Sequence, residues 1–190
     1  MVSQLTTHVT PDEYLELERK SSSKNEYLKG EVFTMTGASL NHNLITVNIA
    51  AELKQQLKQT DCKVVVSDMR VKAPDSTLYT YPDVAVVCGE PRLEDELFDT
   101  LLNPCLIVEV PSKSTAAYDQ EIKFSYYRTI ESLAEYLLVA QDKHHVTQYV
   151  KQPDGRWLLA DIRGLESRVE LASVPCTLGL SEVYDRVSLD

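Results

Sequence analysis

Tyr81-Pro82-Asp83-Val84-Ala85-Val86-Val87 and Leu106-Ile107-Val108-Glu109-Val110 are the two runs around which the chain is organised. Both are short, β-branched and apolar, the pattern of a buried strand. Each nevertheless carries one carboxylate: Asp83 directly after Pro82, and Glu109 one residue before its strand runs out. An ionised acid on a core strand is costly unless something cationic compensates it. Taken singly, either acid could sit at a strand end and face water. As a pair on two such strands, they are best explained by a shared divalent metal.

Magnesium takes oxygen ligands and keeps several waters, so two protein carboxylates suffice. Asp83 and Glu109 are the expected ligands, with the carbonyl of Val110 as a third and Mn²⁺ as an alternative ion. In phosphodiester hydrolysis such an ion polarises the phosphoryl oxygen and lowers the pKa of a bound water.

Outward from these strands, the chain alternates helical and extended patterns. Thr10-Pro11-Asp12-Glu13 reads as a capping box with proline at the first helical position, opening a helix to about Arg19. Tyr27 to Phe33 reads as a hairpin turning at Lys29-Gly30. Ser39 caps a longer helix with Ile45, Ile49, Leu53 and Leu57 at four-residue spacing, ending near Thr60. A strand from Val64 is expected to continue through Asp68, Arg70 and Val71, where an ordinary cross-strand ion pair is the simplest use of the two charges. Ala73-Pro74-Asp75-Ser76 turns the chain back into the Asp83 strand.

An acidic loop from Gly89 to Asn103 leads to the Glu109 strand. Ser112 to Thr115 is a polar loop before a helix through Lys123, Phe124, Tyr127 and Arg128. Tyr136 to Val139 is a further buried strand, and Asp154-Gly155 turns a hairpin. Val169 to Leu171 reads as a short strand, and Ser181 as the cap of a final helical turn. This order predicts an α/β fold: a central mixed β-sheet flanked by helices, with additional β-hairpins.

At 190 residues the chain is read as one domain, 1–190, with its core over about 10–187. No apolar run approaches the length that spans a bilayer, and Met1 to Val9 lacks the build of a signal peptide. The expectation is a cytoplasmic protein without membrane contact. Cys62, Cys88, Cys105 and Cys176 form no Cys-x-x-Cys pair, and reduced structural thiols are the simplest reading. The net charge of −10 runs against the cationic surplus that usually meets phosphate backbones. Much of the acid is local, with Glu90, Glu94, Asp95, Glu96 and Asp99 in one loop, so a basic face elsewhere is compatible with it.

The Pro-Asp and Glu pair resembles the Pro-Asp … (Asp/Glu)-x-Lys pattern of the restriction-endonuclease-like nucleases. More specifically, several stretches resemble the Uma-type restriction-endonuclease-like family, which is common in cyanobacteria. They are Glu26-Tyr27-Leu28-Lys29-Gly30-Glu31-Val32, Gly37 to His42, Ser67-Asp68-Met69-Arg70-Val71, Tyr81 to Val84, and Ile107 to Val110. Tyr118-Asp119, Lys123-Phe124, Tyr126-Tyr127-Arg128 and Tyr136 to Val139 continue the likeness across nearly the whole chain.

The superfamily needs a lysine near the attacking water, but the position two residues after Glu109 is Pro111. Lys113, in the following loop, and Lys123, on the next helix, are the replacements. The resemblance assigns the role to Lys123, and it implies a glutamate at Glu31 that could complete the acidic cluster. His42, at the start of the long helix, could orient water or phosphate, or simply bond locally. Tyr126 and Tyr127 could stack on bases, although core packing is the commoner use of such a pair.

The resemblance thus implies a restriction-endonuclease-like core and a Mg²⁺-dependent nuclease acting on DNA, with catalytic candidates Asp83, Glu109, Lys123, Glu31 and His42. A homodimer follows as the default, since cutting both strands needs two sites. The rival from another class is a catalytically inactive module on the same fold, binding nucleic acid or a partner protein. A hydrolase of a smaller phosphate ester would need a closed pocket instead of a groove.

Overall fold

Local chemistry sets the first elements. In the computed structural model, which describes residues 8–74, 77–97, 99–112 and 118–189, the capping box forms at Thr10. Its hydroxyl accepts the Glu13 amide at 3.3 Å, and the Glu13 carboxylate accepts the Thr10 amide at 2.8 Å. Helix α1 follows as Pro11–Lys20. Thr10→Ala should cost about 1 kcal/mol, read as a lower midpoint in urea denaturation at unchanged slope.

Strands β1 (Asn25–Leu28) and β2 (Glu31–Thr34) are joined by Lys29 and Gly30 at φ 48° and 95°. Two successive positive values are what a two-residue type I′ hairpin turn requires. Helix α2 spans Leu40–Gln56, and the Ser39 hydroxyl accepts the His42 amide at 3.1 Å.

The strand expected from Val64 through Val71 is broken. β3 is Lys63–Val66, Ser67 has φ 21°, and β4 resumes as Arg70–Lys72 in a different sheet. The break gives each half its own partner layer. Asp68 and Arg70 consequently part: Asp68 pairs with Lys24, while Arg70 is buried against Tyr81, Thr100 and Asp99.

The remaining elements are β5 (Leu78–Thr80), β6 (Val84–Val87), β7 (Thr100–Leu101), β8 (Leu106–Glu109), β9 (Glu135–Val139), β10 (His145–Lys151), β11 (Trp157–Arg163), β12 (Arg168–Glu170) and β13 (Thr177–Gly179). The helix expected around Lys123 consists of a π-helical segment, Tyr118–Lys123, running into a short α3, Phe124–Tyr127. The last helix, α4, is Leu180–Val183. Gly179 occupies its cap position, and Ser181 lies inside it. Asp75, Ser76 and Lys113 lie outside the described residues.

The central mixed sheet has six strands in the order β11-β10-β9-β8-β6-β3, with β8 and β9 parallel and the rest antiparallel. The parallel step needs a crossover, which the π-helical segment and α3 supply. A second sheet, β2-β1-β5-β4-β7, holds the first hairpin.

One face of the central sheet packs Val84, Val86, Leu106 and Val108 against Ile45, Ile49 and Leu53 of α2. The opposite face packs Ala85, Val87, Ile107 and Tyr136 against Tyr127, Leu133 and residues of the second sheet. Strands covered on both faces have no polar side to show, which is why β6 and β8 read as unbroken apolar runs.

The acidic loop is tied down. Asp95 and Asp99 bind Arg19 at 2.6 and 2.8 Å, and Glu94 pairs with Lys72 and accepts from Tyr79. Part of the negative charge thus fastens that loop to α1 and the second sheet. No helix among the described residues is long and apolar enough to cross a membrane.

Candidate metal and catalytic site

Asp83 and Glu109 are brought together by strand register. Val84 pairs with Val108 and Ala85 with Ile107, so one further step along that ladder sets Asp83 opposite Glu109. Directly opposed residues have Cβ atoms only about 4.5–5.5 Å apart.

Tyr81 anchors the approach to Asp83. Its hydroxyl donates to Glu18 at 2.9 Å and accepts from Arg70 at 3.0 Å. Asp83 then spans the strand ends: Oδ2 accepts the Val110 amide at 2.7 Å, and Oδ1 lies 3.0 Å from His42 Nε2.

Glu109 reaches into a buried cluster. Lys123 Nζ lies 3.2 Å from Glu109 Oε1, 2.8 Å from Glu26 Oε1 and 3.2 Å from Asp119 Oδ1. All four side chains are no more than 8 % exposed. The π-helical segment places Asp119 and Lys123, four residues apart, on the same inward side; such widened turns recur at functional sites.

Tyr127 donates to Glu109 Oε1 at 2.9 Å. Its single proton is thereby used, so in the 2.6 Å contact with Thr80 the threonine hydroxyl is the donor. Tyr127 is therefore a core residue that also holds the acid, not a surface ring for stacking on bases.

His42 is fixed by two acceptors. Nδ1 lies 3.0 Å from the Val110 carbonyl and Nε2 lies against Asp83. A carbonyl can only accept, so Nδ1 carries a proton, and a carboxylate at Nε2 calls for a second. Burial works to lower the imidazole pKa, but the hydrogen bond and charge of Asp83 outweigh it, so the net direction is upward. Gln141 also donates to the Val110 carbonyl, at 3.1 Å. With two donors on that oxygen, the expected third metal ligand is already engaged in this arrangement.

Glu31 does not join the cluster. It is exposed at the turn, opposite Leu28, whereas Glu26 pairs with Phe33 further into the hairpin and is buried. Glu26 takes the place that the sequence reading gave to Glu31. Asp119 and Gln141 are further members without a prior assignment, and Tyr127 joins them from the core. The available signals were Glu26 inside an aromatic strand and the four-residue spacing of Asp119 and Lys123.

Four carboxylates, those of Glu26, Asp83, Glu109 and Asp119, thus face one ammonium and one imidazole. Burial pushes the Glu109 carboxyl well above the ordinary range against the opposing pull of Lys123, and Asp119 and Asp83 push it further. Glu26 is raised for the same first reason. Burial alone would lower the Lys123 pKa, but Glu109 and Glu26 hold it well above its usual value, so the amine stays charged.

Oxygen donors carrying surplus negative charge suit a hard divalent cation. Among the described residues no group of three or more His, Cys, Asp or Glu side chains is placed so that it could hold a metal ion. Mg²⁺ needs only one or two protein carboxylates and keeps several waters, whereas zinc takes four close ligands.

A pH dependence follows. Glu26 and Glu109 have raised folded-state values, so above about pH 4.5 the native state binds more protons than the unfolded one and stability falls as pH rises. His42, also raised, acts in the same direction through its own range. Asp95 and Asp161 are lowered, so their contribution is lost only in acid and is constant here. Melting in EDTA should therefore shift downward from about pH 5 to about pH 8, and excess Mg²⁺ should flatten the decline.

Comparison with known proteins agrees with this architecture. The model of the Uma2 family, described as "Putative restriction endonuclease", matches residues 11–182. Two proteins of Synechocystis sp., named uncharacterized proteins sll1609 and slr1290, are 39 % and 35 % identical over 172 and 176 residues. Those alignments cover 90 % and 93 % of this chain and 97 % and 91 % of the relatives. A crystal structure from Anabaena variabilis, titled "a putative nuclease belonging to DUF820", superposes with a TM-score of 0.78 at 16 % identity. The superposition covers 95 % of this chain and 99 % of that one, so the fold is shared throughout. With a family match over almost the entire chain and two relatives of similar length, the protein belongs to the Uma2 family of restriction-endonuclease-like proteins.

Proposed function

We propose that this protein is a metal-dependent nuclease hydrolysing DNA phosphodiester bonds, with Asp83 and Glu109 holding Mg²⁺ or Mn²⁺ and Lys123 assisting the attacking water. The observation that carries the reading is the Lys123 amine. It arrives from a different element than the strand pattern requires, yet lies 3.2 Å from Glu109 in a buried acidic cluster. A bound divalent ion would polarise the phosphoryl oxygen and lower the pKa of its water.

The protein's own groups divide the remaining work. Lys123, held as an ammonium by Glu26 and Asp119, cannot accept a proton. Its three hydrogens meet Glu26, Glu109 and Asp119, so it would donate to the water or to the charge building on the phosphoryl oxygens once one of those carboxylates turned to a bound cation. His42, with both nitrogens directed at acceptors, is likewise no base; it orients Asp83 and offsets its charge. The carboxylates are left as the proton acceptors in the cluster, and Glu109 and Glu26, raised by burial, are closer to working pH than ordinary acids. A cleft of about 620 Å³ runs past Asn41, Pro111, Ser112, Gln120, Gln141 and Lys143. Gln141 on its wall donates to the Val110 carbonyl, which links the cleft to the Asp83 side of the site.

The net charge of −10 and Pro111 favour the rival, a module that binds without cutting. Against it stands the cost of gathering four carboxylates and a lysine in the interior, which binding alone does not need. The test is supercoiled plasmid with Mg²⁺ or Mn²⁺, and with EDTA. Nicked or linear product only with metal supports the nuclease. Retarded but intact plasmid under all conditions supports the rival. For the dimer that double-strand cutting would need, sedimentation should give twice the 21.4 kDa chain mass.

A further inference from the structure

The ladder that opposes Asp83 and Glu109 assembles three cysteines at its other end. Lys63 pairs with Val87 and Val64 with Val86, so the next step sets Cys62 opposite Cys88. Their Cα atoms are 3.9 Å apart and the sulfurs are bonded, a correction to the expectation of reduced thiols. Cys105 precedes the neighbouring strand β8. Its amide donates to Val86 O at 2.8 Å, and its free thiol lies 3.7 Å from Cys88 Sγ. All three are half-buried against the α2 side of the sheet, while Cys176 is buried elsewhere in that core.

The geometry points to a thiol–disulfide exchange site in which Cys88 trades its bond to Cys62 for one to Cys105. In the exchange, the Cys105 thiolate attacks Cys88 Sγ, the Cys88–Cys62 bond breaks, and Cys62 leaves as the thiolate. The proton that Cys105 releases to solvent is matched by the one Cys62 takes up, so no electrons are gained or lost. The sulfurs close from 3.7 Å to about 2.05 Å. The first bridge needs a two-electron oxidant: two thiols and one peroxide give one disulfide and two waters.

Cys88 must be the centre. β3 and β8 flank β6, two strand spacings or roughly 9–10 Å apart, whereas a disulfide needs Cα atoms within about 7 Å. A direct Cys62–Cys105 bond is thus out of reach. Exchange moves the cross-link from the β3–β6 pair to the β6–β8 pair, the two strands that lead to Asp83 and Glu109.

The full chain is purified without reductant, treated with dilute hydrogen peroxide, sampled over hours, quenched in acid, alkylated and mapped by mass spectrometry. Wild type should carry two free thiols per chain and show the Cys62–Cys88 peptide, joined by a smaller Cys88–Cys105 population. Cys62→Ser should lose two thiols to Cys88–Cys105, and Cys88→Ser should lose none. Wild type showing Cys62–Cys88 alone in every sample would overturn the proposal. So would a Cys62→Ser protein that keeps its thiols while its circular dichroism matches wild type, or a Cys62–Cys105 bond in Cys88→Ser. None of these readings depends on nuclease activity.

Discussion

Glu109→Gln and Asp83→Asn should each lower metal-dependent DNA cleavage on the order of 10³-fold, since a metal ion contributes several kcal/mol of transition-state stabilisation. On the proposed reading, two carboxylates holding one ion would act as a unit, so the two losses should be similar and should not add in the double variant. Stability should respond differently. Glu109 is an acid that burial and neighbouring carboxylates hold far above its ordinary range, so the neutral amide removes a repulsion while its oxygen still accepts from Lys123 and Tyr127. In EDTA the Glu109→Gln protein should therefore melt no lower than wild type. A variant that is inactive and equally or more stable is the expected mark of residues arranged for chemistry at the expense of stability. Unchanged cleavage rates in purified variants would point to a contaminating nuclease.

Lys123→Met should reverse the stability result. The ammonium lies within 3.2 Å of three carboxylates, and removing one partner of a buried ionic cluster typically costs about 3–5 kcal/mol. For a chain of this size that corresponds to a melting shift of roughly 6–20 °C. The loss should be smaller in mild acid, where Glu26 and Glu109 can take up protons, and Mg²⁺ should recover part of it at neutral pH. Cleavage should fall even where the variant remains folded, because methionine offers no hydrogen bond to water or phosphate. Lys123→Arg keeps the charge but not the compact three-donor geometry, so it should recover stability more than rate.

The strands that matter most were the easiest to read. Runs such as Val84 to Val87 and Leu106 to Val108 are apolar at every position because both faces are covered, and their short length and β-branched residues mark them as strands. The Lys29-Gly30 turn and the Thr10 cap were legible because their chemistry is local. Register was not: nothing near Asp83 in sequence states that Val84 will pair with Val108, although that pairing puts the two acids together. The break at Ser67 was hidden for a similar reason. Val64 to Val66 and Val71 carry the same β pattern, and only the destination of each half in a separate sheet distinguishes one strand from two.

In the site, the structure sets Asp83 against His42 and Glu109 against Lys123, whereas Glu31 lies outside the buried cluster. Glu31 was implied by the family likeness, yet it opens β2 exposed at the turn. Glu26, in the strand, is the one enclosed between layers. Cys62 and Cys88, 26 residues apart, escaped as a pair because their contact depends on register alone.

Titration of the metal-free protein with Mn²⁺, followed by electron paramagnetic resonance of the free ion, addresses the shared cation without any need for turnover. Wild type should take up Mn²⁺ with a saturable site that Mg²⁺ competes for, and Asp83→Asn and Glu109→Gln should each weaken it by tenfold or more, about 1.4 kcal/mol. Undiminished Mn²⁺ uptake by both variants would contradict a cation held between Asp83 and Glu109.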